Sequence, residues 1–355
     1  MTNTICFFGS YDQDYPRNKL LKKALKNTGY NLVECNDRNR GLEHYKSLIV
    51  NFTKQKNSFQ IIFVGVLGHY DVPLAWLLAK IYNKKIMFDA FYSLYDTYVL
   101  DRKVAKPNSF AGFRFYFYDW LSSKLADKII LDTVENIDFF VNKYNAKREK
   151  FFELTITADF DVFKPVKKKK QDIFTIGFYG SFMPLHGVDM IIEAMAKLRS
   201  RKIKCIILGE GPGKSEILEK TEELQLQKSI TFIGKNLQYN KLPTFFDQID
   251  VFLAGPFGST EKASRVLPAK AAESLSCGVP TIVRKSPATS RILKNYKGRN
   301  LIWLNKNTSG ELAELILKCA RKNFDFDRVE AQKYFNESEL SFNRFTNKLT
   351  SIINN

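Results

Sequence analysis

Histidine, cysteine and long apolar runs are what this chain has least of. Three histidines and five cysteines serve 355 residues. Cys6, Cys35, Cys205, Cys277 and Cys319 are scattered, with no pair at metal-ligand or redox spacing. Reduced, mostly buried thiols are expected, and a structural zinc site is not. No apolar stretch approaches the roughly 18–20 residues of a membrane-spanning helix. The opening, Met1-Thr-Asn-Thr-Ile-Cys6, enters a strand within a few residues, which leaves no room for a signal peptide. The expectation is a soluble, cytoplasmic protein. Acidic residues are also short, 37 against 55 lysines and arginines, for a formal charge of +18. A field of that sign favours nucleic acid, acidic lipid headgroups or phosphorylated substrates, and charge alone does not choose among them.

What is present is an ordinary globular composition, 45% hydrophobic and 26% charged, in a chain long enough for two cores. Short apolar runs alternate with amphipathic ones from the start. Thr4–Gly9 reads as a strand, Asn18 to Asn27 as a helix and Asn31–Cys35 as a strand, the opening of a Rossmann-like unit. Strands at 59–65, 85–89 and 128–132 and helices at 73–82 and 134–144 continue it. The strand-end loops carry Arg17, His69, Asp71, Asp89 and Asp96, the first domain's candidates for polar substrate chemistry. Arg17, at a helix start, suits a phosphate or plain solvent equally. Four lysines, Lys167 to Lys170, follow Pro165, and 166–171 is the best linker in the chain. Residues 1–165 form the first domain. The second, 172–330, repeats the alternation, and 331–355 is a terminal segment ending in a helix.

One stretch organises the second domain: Ser264-Arg-Val-Leu-Pro-Ala-Lys-Ala-Ala-Glu-Ser-Leu-Ser-Cys-Gly-Val-Pro280. Pro268 sets a helix start, and Gly278 followed by Pro280 sets its stop. Lys270 in the first turn sits where the helix dipole disfavours a cation unless an anion lies opposite. Glu273 shares its face and can accept hydrogen bonds from hydroxyls. Spacing alone is most often met by a solvent-facing pair. The preceding Val251–Thr260, an apolar strand emptying into a Gly-rich loop with Phe257, argues instead for the ligand-binding edge of an α/β sheet.

The pattern Pro268-x-Lys270-x-x-Glu273-x-x-x-x-Gly278-x-Pro280 resembles the donor-binding signature of retaining, nucleotide-sugar-dependent glycosyltransferases of the GT-B fold, glycosyltransferase family 4. Gly180-x6-Gly187, then Leu208-Gly-Glu-Gly-Pro212, Phe232-Ile-Gly234 and Asp250 come before it in the family's order. The resemblance implies an α/β fold of two Rossmann-like domains facing a central cleft, the acceptor held by the first and the donor by the second. It implies that the final helix returns to the first domain. It also implies that Glu273 binds the ribose hydroxyls, that Lys235 lies by the base through its backbone, and that Gly9, Gly180, Ser181 and His186 lie near the phosphates, with Gly209 and Phe257 beside the donor. No metal and no cofactor are required.

The departures bear on the chemistry. Ser181 and His186 stand where the family commonly has an arginine and a lysine, and Arg265 stands where a first carboxylate is usual. Lys270 and Arg265 together would restore the diphosphate clamp, with His186 assisting, because the leaving group develops charge as the anomeric bond breaks. Ala90 or Phe91 occupies the place of a common histidine after the fourth strand, and Ala158 that of a common glycine.

Residues 103–128 crowd rings among basic residues: Phe110, Phe113, Arg114, Phe115, Tyr116, Phe117, Tyr118, Trp120 and Lys124. As a helix from about Ser109 they place rings on nearly every side. One reading sandwiches this helix between the sheet and a neighbour. The other lays it on an anionic membrane surface at the inner membrane face. The expected function is sugar transfer to a saccharide or lipid-linked saccharide. The rivals are a nucleotide-sugar epimerase on the same scaffold and a basic nucleic-acid-binding protein. The second is disfavoured by dispersed lysines and the lack of a recognition motif.

Overall fold

The computed structural model describes residues 3–39, 41–165, 167, 172–234, 237–322 and 327–355, with the side chain of residue 322 left out. The expected linker at 166–171 lies outside the described residues except for exposed Lys167. The chain divides into two units, Met1–Thr155 with Asn343–Asn355, and Ile156–Phe342.

The first unit runs β1 (Thr4–Gly9), α1 (Pro16–Asn27), β2 (Asn31–Asn36), α2 (Leu42–Gln55), β3 (Ile61–Val64), α3 (Val72–Tyr82), β4 (Lys85–Phe91), α4 (Phe110–Leu125), β5 (Lys128–Leu131), α5 (Val134–Tyr144) and β6 (Phe151–Glu153). Its sheet is parallel in the order β2-β1-β3-β4-β5-β6. Parallel strands are covered on both faces, so they read as continuous apolar runs: Ile5 to Phe8 are wholly buried. Pro16 starts α1, whose Leu20, Leu21, Ala24 and Leu25 supply one buried stripe. A π-helical turn, Asp96–Asp101, follows β4.

The second unit runs β7 (Phe174–Tyr179), α6 (Val188–Lys197), β8 (Ile203–Leu208), α7 (Lys214–Glu223), β9 (Ile230–Ile233), α8 (Pro243–Phe246), β10 (Val251–Gly255), α9 (Glu261–Arg265), α10 (Ala269–Ser276), β11 (Thr281–Arg284), α11 (Pro287–Ile292), β12 (Leu301–Leu304), α12 (Ser309–Lys322) and α13 (Arg328–Glu337). The final helix, α14 (Phe342–Asn354), packs in the first unit: Lys128 Nζ donates to the Ile352 carbonyl at 2.7 Å, and Lys348 meets Glu153 at 3.0 Å. The second sheet, also parallel, is ordered β12-β11-β10-β7-β8-β9. Renumbered from its own first strand, this is the 3-2-1-4-5-6 order of a dinucleotide-binding sheet, reversing between β7 and β10; the first sheet reverses between β1 and β3. In such sheets ligands bind outside the carboxyl ends of the strands at the reversal.

In the second unit that edge is built by backbone approach. A Cβ on Gly209 would lie 2.0 Å from the Gly180 carbonyl oxygen, and one on Gly211 would lie 1.7 Å from that of Ser181. The loops after β7 and β8 therefore close on each other with no room for a side chain. Gly211→Ala is expected to destabilise by about 1–3 kcal/mol through this clash. Gly310→Ala, where an added Cβ meets nothing within 4 Å, should hold or raise stability. Chemical denaturation of both variants checks it.

Candidate functional site

Lys270 enters the second unit's edge from the first turn of α10. Ala271 and Ala272 beside it are fully buried and let the helix lie close to β10 and β11. The lysine is buried too. Its Nζ stands 4.4 Å from the centroid of the Phe178 ring, and among the described residues it has no hydrogen-bond partner. A Cβ on Gly180 would come within 2.9 Å of Lys270 Nζ and 3.0 Å of His186 Nδ1, so Gly180, Lys270 and His186 form one cluster at the end of β7. Burial lowers the ammonium pKa to about 7, partly opposed by the Glu273 carboxylate.

Glu273 is buried as well, so the solvent-facing pair is not what forms. The Tyr179 hydroxyl donates to its Oε2, and Tyr239 also reaches the carboxylate. Burial lifts Glu273 to about 7 against the hydrogen bond from Tyr179 and the charge of Lys270. Tyr179 is itself fixed in an aromatic cluster, 5.1 Å from Phe252 and 6.0 Å from Phe246. Neither tyrosine was signalled by the sequence, because each lies far from Glu273 along the chain.

The other residues expected on the donor side fall into four groups. Phe257 is a core side chain whose backbone shapes the edge: its amide donates to the His186 carbonyl at 3.3 Å, and its carbonyl accepts from Asn307 Nδ2 at 2.8 Å. Exposed Ser181 and Gly209 belong to the nested loops described above. Arg265, on α9, directs its guanidinium 3.5 Å from Glu261 one turn back, and Val266 to Pro268 separate it from α10. Lys235 lies outside the described residues.

The first unit turns several expected substrate contacts inward. Arg17 is neither a phosphate contact nor a surface residue: it is buried, bonding Asp89 through Nε at 2.6 Å and one terminal nitrogen at 3.1 Å, and the Leu154 carbonyl at 3.1 Å. Burial raises Asp89 while the guanidinium pulls it down. His69 is fully buried, its pKa lowered to about 3 by desolvation, 3.3 Å from Asp119. Asp119 itself accepts from the amides of Leu94 and Tyr95 and the hydroxyls of Ser93 and Tyr144, and burial lifts it to about 6. Asp96 is buried at the start of the π-helical turn, its amide donating to Ser93 Oγ.

Gly9 ends β1 with φ of +117°, and a Cβ there would lie 2.8 Å from Asp71 Oδ2. That oxygen accepts both the amide and the hydroxyl of Ser10 at 2.7 Å. Asp71 Oδ1 bonds His44 Nε2 at 2.8 Å, and Asp37 stands 3.6 Å from the other ring nitrogen. This network lies at the strand-order reversal of the first sheet. His44 went unnoticed in the sequence because α2, which carries it, was not expected. Among the described residues no three His, Cys, Asp or Glu side chains are placed to hold a metal ion, and no helix is long and apolar enough to cross a membrane.

A family model described as glycosyl transferases group 1 matches residues 159–338, just over half of the chain. The chain belongs to that family. This group 1 glycosyl transferase is 22% identical over 238 residues to a chitobiosyldiphosphodolichol beta-mannosyltransferase of Debaryomyces hansenii, covering 60% of the chain and 50% of the relative. It is 20% identical over 156 residues to an alpha-monoglucosyldiacylglycerol synthase of Streptococcus pneumoniae, covering 43% and 33%. The matches thus span half or less of these curated relatives' lengths. An Anabaena protein, HepE, solved in complex with UDP and glucose, superposes with a TM-score of 0.69 at 13% identity, covering 99% of each chain. That likeness carries the fold, α/β of the GT-B type.

Removing the guanidinium in Arg17→Ala should destabilise by about 3–5 kcal/mol, because it strands the Asp89 charge in the interior. The double variant Arg17→Met/Asp89→Leu should recover most of the loss. Equilibrium denaturation of the two decides it. Asp71 raises the His44 pKa. The stability that His44 adds is therefore complete below its unfolded pKa of about 6.5 and lost as pH rises through the folded value. His44→Gln should flatten the stability profile across that window.

Proposed function

We propose that the chain moves a sugar from a nucleoside diphosphate sugar to a hydroxyl of a saccharide or lipid-linked saccharide, with retention at the anomeric carbon, in glycan or polysaccharide synthesis. The observation that carries this reading is the Lys270 ammonium, buried at the sheet's ligand-binding edge without a hydrogen-bond partner. A diphosphate supplies the missing acceptors, and as the anomeric C–O bond breaks it gathers negative charge that a preplaced cation stabilises. His186 and the backbone of Gly180, Ser181 and Gly209 complete the cradle. Arg265 adds charge from α9, and Lys270 takes the place of a metal ion.

Glu273, lifted toward neutrality by burial, exchanges its tyrosine partners for ribose hydroxyls. The Phe257 backbone closes the donor side. In the first unit Arg17, Asp89, His69 and Asp96 fix the strand-end loops that would take the acceptor. The names of the two curated relatives, one making a beta and one an alpha linkage, leave stereochemistry to experiment. The charge of +18 suits a protein working peripherally at the cytoplasmic face of a membrane.

The test is a thermal-shift screen of UDP, GDP, ADP, CMP and dTDP, since a ligand of the native state raises the melting point. One nucleotide should stabilise the wild type and not Lys270→Ala. A flat screen would sink the reading. Because the free lysine titrates near 7, diphosphate binding that restores its ordinary pKa should take up a proton at slightly alkaline pH. Calorimetry in buffers of different ionisation enthalpy should register that uptake, and Lys270→Met should abolish it. Once the donor is known, Lys270→Ala should cut turnover about a hundredfold or more. Activity should survive chelation, and the product anomer should match the donor's; an inverted product refutes retention.

A further inference from the structure

The helix α4 is built inside out. Its buried positions are Gly112, Asp119, Ser122 and Ser123. Phe110, Phe113, Phe117 and Trp120 are 82%, 62%, 37% and 37% exposed. They recur at intervals of three and four residues and so form one stripe along the outer face. The rings support each other, Phe113 on Phe117 with centroids 6.2 Å apart and Phe117 beside Trp120 at 5.8 Å. The inner face has no place for them. Asp119 is occupied there with the amides of Leu94 and Tyr95 and with two hydroxyls. A Cβ on Gly112 would lie 2.3 Å from the Lys106 carbonyl oxygen. Tyr116 and Leu125 pack against the unit's apolar core and Phe115 stacks on Tyr98 at 4.9 Å, while the stripe of Phe110, Phe113, Phe117 and Trp120 is turned to solvent.

We propose that this stripe, with the turn before it, docks the first unit onto a bilayer rich in acidic lipid. The turn adds Val104, 69% exposed. Charge selects the occupant. From residue 102 to residue 124 the exposed ionisable residues include Lys103, Lys106, Arg114 and Lys124, and the only carboxylate in that span, Asp119, is buried. Rings at headgroup depth flanked by cations are how an in-plane helix holds an anionic surface. A second copy of the chain fits worse, because a symmetric contact would set the same cations against each other. The inference deepens the proposed function, since a lipid-linked acceptor must be met at a bilayer; it rests on that reading for its purpose and on α4 for its geometry.

The experiment is flotation of the full chain with vesicles of phosphatidylcholine alone and of equal parts phosphatidylcholine and phosphatidylglycerol. The wild type should float with the acidic vesicles, not with the neutral ones, and high salt should release it. Phe113→Ser/Phe117→Ser and, separately, Arg114→Glu should each weaken partition about tenfold or more. Both should keep the wild-type melting point, which shows that they fold. In a Trp76→Phe/Trp303→Phe background, Trp120 should be quenched by brominated acyl chains. Wild-type protein that stays unbound, variants that bind as well as the wild type, or an unquenched Trp120 would each overturn the proposal. So would a concentration-dependent dimer lost in the same variants, which would assign the face to a second copy. The nucleotide screen reports on the second unit independently, so vesicle binding with a flat screen sinks the proposed function and leaves the docking surface standing.

Discussion

An ammonium withdrawn from water needs acceptors, and one held without them is costly by several kcal/mol. The second unit keeps Lys270 in that condition. Phe178 offers a ring face in place of a hydrogen bond, and Glu273 offers partial compensation from the next turn while engaged by Tyr179. Everything around the lysine serves to keep it there: small alanines seat α10 against the sheet, and glycines bring three loops together at backbone distance. The edge is arranged before any ligand arrives. In the proposed reaction a cation fixed in place beforehand needs no reorganisation.

The first unit handles its buried charges the opposite way. Arg17 is matched to Asp89, Asp71 to Ser10 and His44, and Asp119 to two amides and two hydroxyls. Each of these carboxylates is met by donors within its own network, and the networks fasten the strand-end loops to the sheet. Carboxylates held by several donors specify one geometry. What the first unit leaves open is surface, above all the outside of α4.

Much of the architecture could be read from the chain because parallel strands are short apolar runs and their helices carry one clear stripe. β8 and α5 fall where periodicity puts them, and α10 within a residue of its proline and glycine signals. α2 escaped because Gly41, with φ of +72°, precedes it without a side-chain cap, and because Leu42, Ile49 and Val50 are exposed and blur its stripe. α13 escaped for want of apolar residues; only Ala331 and Phe335 are buried. In the second unit, Lys270 and Glu273 were legible from the helix that holds them. Tyr179 and Asp119 were not, since their partners come from distant segments. Arg17, His69 and Asp89 drew attention for their places at strand ends, but residue type alone does not tell an inward charge from an outward one.

The last helix has a consequence for how the protein comes to be made. The first unit takes its closing layer from Asn343–Asn355, which follow the second unit in the chain, while the second unit is the uninterrupted run Ile156–Phe342. Phe345, Leu349 and Ile352 are buried in that layer. On a ribosome, chain growth therefore delivers the parts out of architectural order. The second unit can be complete while the first, begun earlier, still waits with an apolar face uncovered for its final residues to emerge.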